Sequence, residues 1–118
     1  MEKYSNKLVE LSISFAVEIL NLVNKLKQNK EAIICKQLGR SGTSIGANIH
    51  EAQYAHGKSD FIAKLQIALK EANETYYWLR LLFATDYINE NEYASIEIDI
   101  KEIVALLTAI CKTTQQNK

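Results

Sequence analysis

The run Gly39-Arg40-Ser41-Gly42-Thr43-Ser44-Ile45-Gly46 decides the fold of this chain, because it holds three of the four glycines. Residues at helical spacing run through it: Ile34, Leu38, Ser41, Ile45, Ile49 and Ala52. Read as a helix, the run joins its flanks into one long segment. The glycines then cost roughly 2–3 kcal/mol of helix propensity relative to alanine. The close approach of another backbone would have to offset that loss. Read as a loop, the run breaks the segment in two. These residues alone leave both readings open. A phosphate loop is a third reading, and it fails. The Walker pattern needs a lysine and a preceding strand, and neither is present; the dinucleotide fingerprint is absent too.

Working outward, the segment around the run spans about residues 31–55, and Asn29 is the candidate N-cap before it. His56-Gly57-Lys58-Ser59 is a break, with Gly57 suited to a helix C′ position and Ser59 to the next N-cap. A segment over about residues 60–85 follows, with Asp60 in its first turn, where a negative charge is favoured. Its stripe is Leu65, Leu69, Ala72, Tyr76, Leu79 and Phe83, with Phe61, Ala68 and Leu82 alongside. Asn89 and Glu92 form a capping-box pattern. The last segment spans about residues 90–113 on Ile96, Ile100, Ile103, Leu107 and Ile110, and Thr114 to Lys118 reads as a frayed polar tail.

The first segment, about residues 5–27, is the most apolar. Leu8, Leu11, Phe15, Ile19, Leu22 and Leu26 make one heptad-like stripe. Val9, Ile13, Ala16, Leu20 and Val23 make a second beside it. One bundle core needs only one such stripe, so the second is the candidate subunit interface. Tyr76, Tyr77 and Trp78 are consecutive and fan around their helix. Tyr76 fits the core, which leaves Tyr77 and Trp78 as further interface candidates. Four segments of similar length with short connections predict an all-α, antiparallel up-down-up-down four-helix bundle, a single domain over residues 1–118.

Composition excludes several function classes. The 118 residues carry 14 Lys and Arg against 14 Asp and Glu, so no global charge points to nucleic acid or membrane. Residues 85–118 are acidic and the remainder mildly basic. Cys35 and Cys111 lie far apart and read as buried reduced thiols rather than metal ligands. MEKYSNK lacks a signal-peptide core, and no apolar run approaches a membrane span, so a cytoplasmic location is expected. A di-metal carboxylate site needs Glu-x-x-His, and Glu51, Glu71 and Glu74 all lack the histidine. His50 and His56 fall on different helix faces. Ser41, Ser44, His50 and Glu51 have the side chains of a catalytic group, but nothing singles them out. No enzyme, cofactor or metal is expected.

The polar residues of the middle helices have a plainer use. Folding these two helices antiparallel about Gly57 pairs residues equidistant from the turn. Glu51 then faces Lys64, Ser44 approaches Lys70 and Glu71, and Arg40 approaches Glu74. Asn48, on the same face, requires a partner of its own. This predicts a partly buried polar seam of Arg40, Ser44, Asn48, Glu51, Lys64, Glu71 and Glu74 that fixes register.

Two runs also carry a resemblance: QLGRSGTSIGANIHEA over residues 37–52 and SDFIAKLQIALKEANETYYWL over residues 59–79. Together they resemble the four-helix-bundle proteins encoded in intervening sequences of bacterial large-subunit rRNA genes, a family often labelled ribosomal-type. Order, turn and length match along nearly the whole chain. The resemblance implies that the glycine run is helical. It also implies that the protein forms ring-like homopentamers and lacks enzymatic activity. A related bundle, the accessory protein of diversity-generating retroelements, binds nucleic acid and a reverse transcriptase; the gene context of the family makes RNA association the functional expectation. The chain departs from the family in having Gln28-Asn29 where proline is common between the first two helices. Gly39 stands where a bulkier or basic residue is common, and His50 where alanine is. The candidate phosphate contacts are Lys36, Lys58, Lys70 and Arg80, which lie among acids, so binding is expected to be weak and salt-sensitive. The alternative is a scaffold that displays surfaces to a protein partner.

Overall fold

In the computed structural model, which describes residues 2–116, the glycine run is helical throughout. Four helices follow one another: α1 (Glu2–Gln28), α2 (Ile33–Ala52), α3 (Lys58–Ala84) and α4 (Glu90–Gln116). Each packs on two others: α1 on α2, α2 on α3, α3 on α4, and α4 back on α1. Across every seam one residue number rises as its partner's falls. Gly46, Gly42 and Gly39 meet Ser12, Ile19 and Val23, while Tyr76 meets Glu97 and Phe83 meets Tyr93. All neighbours are therefore antiparallel, in a bundle of 49 × 22 × 19 Å.

The predicted stripes supply the core. Leu8, Phe15, Ile19, Leu22 and Leu26 of α1 are buried with Leu38, Ile45 and Ile49 of α2. From α3 come Leu65, Ala68, Ala72, Leu79 and Leu82, and from α4 Ile96, Ile100, Ile103, Leu107 and Ile110. Leu11, Leu69 and Tyr76 are only half-buried, and Phe83 is exposed, stacked on Tyr93 with ring centroids 4.6 Å apart.

The helix ends depart from the sequence reading in informative ways. Asn29 does not cap α2. Its N–H bonds the Leu26 carbonyl at 3.0 Å, so it terminates α1. Lys30 then takes a left-handed φ of 64°, and the Glu31 N–H reaches back to the Leu26 carbonyl at 3.1 Å. These bonds make a Schellman ending, which glycine usually marks and lysine does not. Glu31 lies outside α2 rather than at its first turn, and its carboxylate accepts the Ile34 N–H at 2.5 Å. Asp86 ends α3 in the same way, with φ 63° and the Tyr87 N–H on the Leu82 carbonyl at 3.0 Å.

Gly57 is not the C′ residue of α2. That helix stops at Ala52 in a tightened turn, with the Tyr54 N–H on the Glu51 carbonyl at 3.0 Å. Gly57 instead occupies the N-cap position of α3 at φ 106° and ψ −179°, a conformation open essentially to glycine alone. Ser59 therefore lies inside α3 rather than capping it. The Asn89–Glu92 capping box is formed in both directions, at 3.0 and 2.8 Å. Thr114, read as part of a frayed tail, is buried within α4; Asn117 and Lys118 lie outside the described residues.

Candidate nucleic-acid interface

On the α2–α3 seam, Arg40 reaches across to two carboxylates one turn apart. Its Nη1 bonds Glu71 Oε2 at 2.9 Å and its Nη2 bonds Glu74. The Trp78 indole N–H donates to Glu74 at 3.0 Å and, together with Arg40, holds that carboxyl below its ordinary range. Lys64 pairs with Glu51 at 3.5 Å near the turn. Ser44 does not meet Lys70 or Glu71. Its hydroxyl lies 3.2 Å from the Asn48 amide, which donates to the Ser44 carbonyl at 2.9 Å. Sequence reasoning missed the Thr75 hydroxyl, fully buried beneath the seam. It lies 2.9 Å from the Ser41 hydroxyl and donates to the Glu71 carbonyl at 2.8 Å.

The four candidate phosphate contacts do not converge. Lys58, Lys70 and Arg80 lie at the start, middle and end of α3, all exposed. Lys36 belongs to a different group. It lines a groove of about 610 Å³ between α1 and α2, together with Lys27, Lys30 and Arg40. The apolar floor comes from Leu20, Val23, Ala32, Cys35 and Gly39. Glu31 is the one acid on this groove, and it is buried and occupied with the Ile34 N–H. Arg40 is tied to Glu71 and Glu74, so Lys27, Lys30 and Lys36 supply the available charge. The sequence hid this group because its members come from the end of one helix, a turn and the start of the next.

The second stripe of α1 is split by the structure. Ile13 and Leu20 are exposed, and Val17 joins them at 53% exposure. Val9 and Ala16 are half-buried, whereas Val23 is buried against Gly39. Exposure alternates along the stripe: Ile13 and Leu20, with Val17 beside them, lie on its outer edge, whereas Val9, Ala16 and Val23 lie on the edge that faces the core. Tyr77 is exposed and packs edge-on against Trp78, which is itself half-buried on the core.

On the α1–α4 side, Glu18 and Asp99 line one cleft with Leu11, Ser14, Phe15 and Ile103. Burial, and then the Asp99 carboxyl beside it, raises Glu18 to about 7. Lys7–Glu102 at 3.6 Å and the Lys25–Glu92 pair lie to either side along the same seam. Between α3 and α4, Tyr76 and Tyr93 both donate to Glu97, at 2.7 and 3.0 Å, which lowers its carboxyl range. Burial raises both the Cys35 and Cys111 thiols. Among the described residues no group of three His, Cys, Asp or Glu side chains converges, and no helix is long and apolar enough to cross a membrane.

The sequence model of one family, described as 23S rRNA-intervening sequence protein, matches residues 5–109. A crystal structure of a protein with unknown function from the S23 ribosomal protein family of Bacteroides thetaiotaomicron is 53% identical to this chain. The match covers 92% of this chain and 98% of that one, with a TM-score of 0.90. No curated protein matches the chain.

Proposed function

The chain belongs to the 23S rRNA-intervening sequence protein family, and from that premise we propose that it is a non-enzymatic, cytoplasmic, RNA-associated bundle that works as a homo-oligomer. The observation that supports RNA association is the α1–α2 groove, where Lys27, Lys30 and Lys36 gather on a molecule of zero net charge. Clustered cations release counterions on meeting phosphates, whereas the same number scattered among acids does so weakly. Ile13 and Val17, exposed on α1 outside the groove, are the surface through which copies assemble, into the ring-like homopentamer that the resemblance implies.

The scaffold reading has its own supporting observation: Arg40 and Lys64 are committed to carboxylates, which leaves fewer cations for phosphate on the α2–α3 face. The two readings differ in a shift assay at low salt. The RNA reading expects a retarded band that disappears as salt is raised. An RNA that migrates unchanged at low salt would leave the scaffold. Purifying the protein from its host and sequencing any RNA that accompanies it would then identify the target.

A further inference from the structure

The three glycines of α2 do not do the same job. A Cβ on Gly42 would sit 2.8 Å from Ile19 Cγ2, in a fully buried contact. On Gly46 it would meet the Ser12 hydroxyl at 3.4 Å. On Gly39 it would find only Val23 Cγ2, at an ordinary 3.6 Å. Helix packing therefore requires glycine at 42, tightens around 46, and makes no such demand at 39. Yet glycine inside a helix carries a propensity cost wherever it stands. What Gly39 provides is open space, because it forms part of the floor of the α1–α2 groove.

We propose that this groove is a subsite for an unpaired nucleotide, so that the protein associates with single-stranded rather than duplex RNA. The inference rests on the RNA reading above and names the substrate class of the same site. The base lies on the apolar floor over Gly39, Val23 and Cys35, and the flanking phosphates meet Lys27, Lys30 and Lys36. An unpaired strand can offer both a splayed base and its phosphates at once, whereas a duplex hides its base faces in the stack. A duplex would use the rim and leave the floor empty. The floor offers little to read base identity: the Thr43 hydroxyl gives its proton to the Gly39 carbonyl at 2.8 Å and is left only as an acceptor, and the Glu31 carboxylate is buried against the Ile34 N–H. Recognition is therefore of strandedness, with little preference among bases.

The test is fluorescence anisotropy at low salt with a labelled unstructured single-stranded RNA and a duplex of the same length. Wild type is compared with Gly39→Leu and Thr43→Leu, two substitutions that fill the groove from different positions and favour helix. The thermal melt of each variant is recorded alongside, so that a variant that fails to fold is set aside and the other read. Wild type is expected to bind the single strand about tenfold more tightly than the duplex, as covering roughly 50–60 Å² of the apolar floor with one base would supply. Either filled groove is expected to lose that preference while duplex binding stays unchanged. Equal binding of the two RNAs by wild type, or a folded filled-groove variant that keeps the preference, would overturn the inference and leave RNA association standing. No binding of either RNA would overturn both.

Discussion

Arg40 shows how one residue can hold a register. It joins two carboxylates on the facing helix, and one of them, Glu71, is only 9% exposed. Removing the guanidinium leaves that carboxylate buried without its cationic partner. Arg40→Ala is therefore expected to destabilise the protein by about 2 kcal/mol, against less than about 0.5 kcal/mol for Lys7→Ala at an exposed pair. Urea denaturation measures both, and equal small losses would remove the seam's structural role. The pairing of Arg40 with Glu74 was legible because equidistance from the Gly57 turn specified it. The partners of Ser44 were not, because an amide one turn along the same helix competes with any partner across the seam. Lys30 and Asp86 were illegible for a related reason. Both take left-handed conformations that sequence patterns assign to glycine, and backbone bonds to Leu26 and Leu82 hold them there.

Periodicity gave all four helices to within a few residues, and their boundaries less well, since capping depends on bonds that no spacing encodes. The glycine run was the ambiguous element, and its resolution lies in α1. Ile19 approaches the α2 backbone so closely that a longer residue does not fit at 42, while Ser12 makes the looser contact at 46. Gly42→Ala is expected to lose about 1–3 kcal/mol through overpacking, despite a better helix former. Gly39→Ala is expected to lose nothing and to gain up to about 1 kcal/mol. Urea melts of the pair distinguish these, and equal effects would contradict the assignment of different jobs.

The α1–α4 seam makes stability depend on pH. Glu18, raised to about 7 by burial and Asp99, keeps a proton in the folded state that the unfolded chain releases near 4.5. Stability should therefore fall as pH rises from about 4.5 to 7, and remain low above it. Because Glu18 is partly solvated, the discounted effect is about 1 kcal/mol. Glu18→Gln should recover it at pH 8 and change little at pH 5. Parallel pH curves for the two proteins would show that the carboxyl pair is not felt.

For the whole molecule, the bundle architecture followed from stripes that α1 to α4 bury, while its outward faces were only partly legible. The second α1 stripe was visible in sequence, but which of its residues stay open depended on which edge of the stripe faces α2: Val23 packs on Gly39, while Ile13 and the neighbouring Val17 stay open. If copies meet there, the Ile13→Glu/Val17→Glu double variant should sediment as a folded monomer where wild type sediments as an oligomer, and an unchanged assembly would place the interface elsewhere. The basic groove was invisible as a motif, since its lysines become neighbours only when α1 and α2 fold back on each other.

Its role is the centre of the functional account. The most direct measurement is the salt dependence of single-stranded RNA affinity for wild type and for the Lys27→Ala/Lys36→Ala/Lys30→Ala triple variant. Three phosphate contacts predict a slope of log affinity against log salt of about −2 for wild type, reduced nearly to zero in the variant. Undetectable binding at low salt, or a triple variant with the wild-type slope, would contradict it.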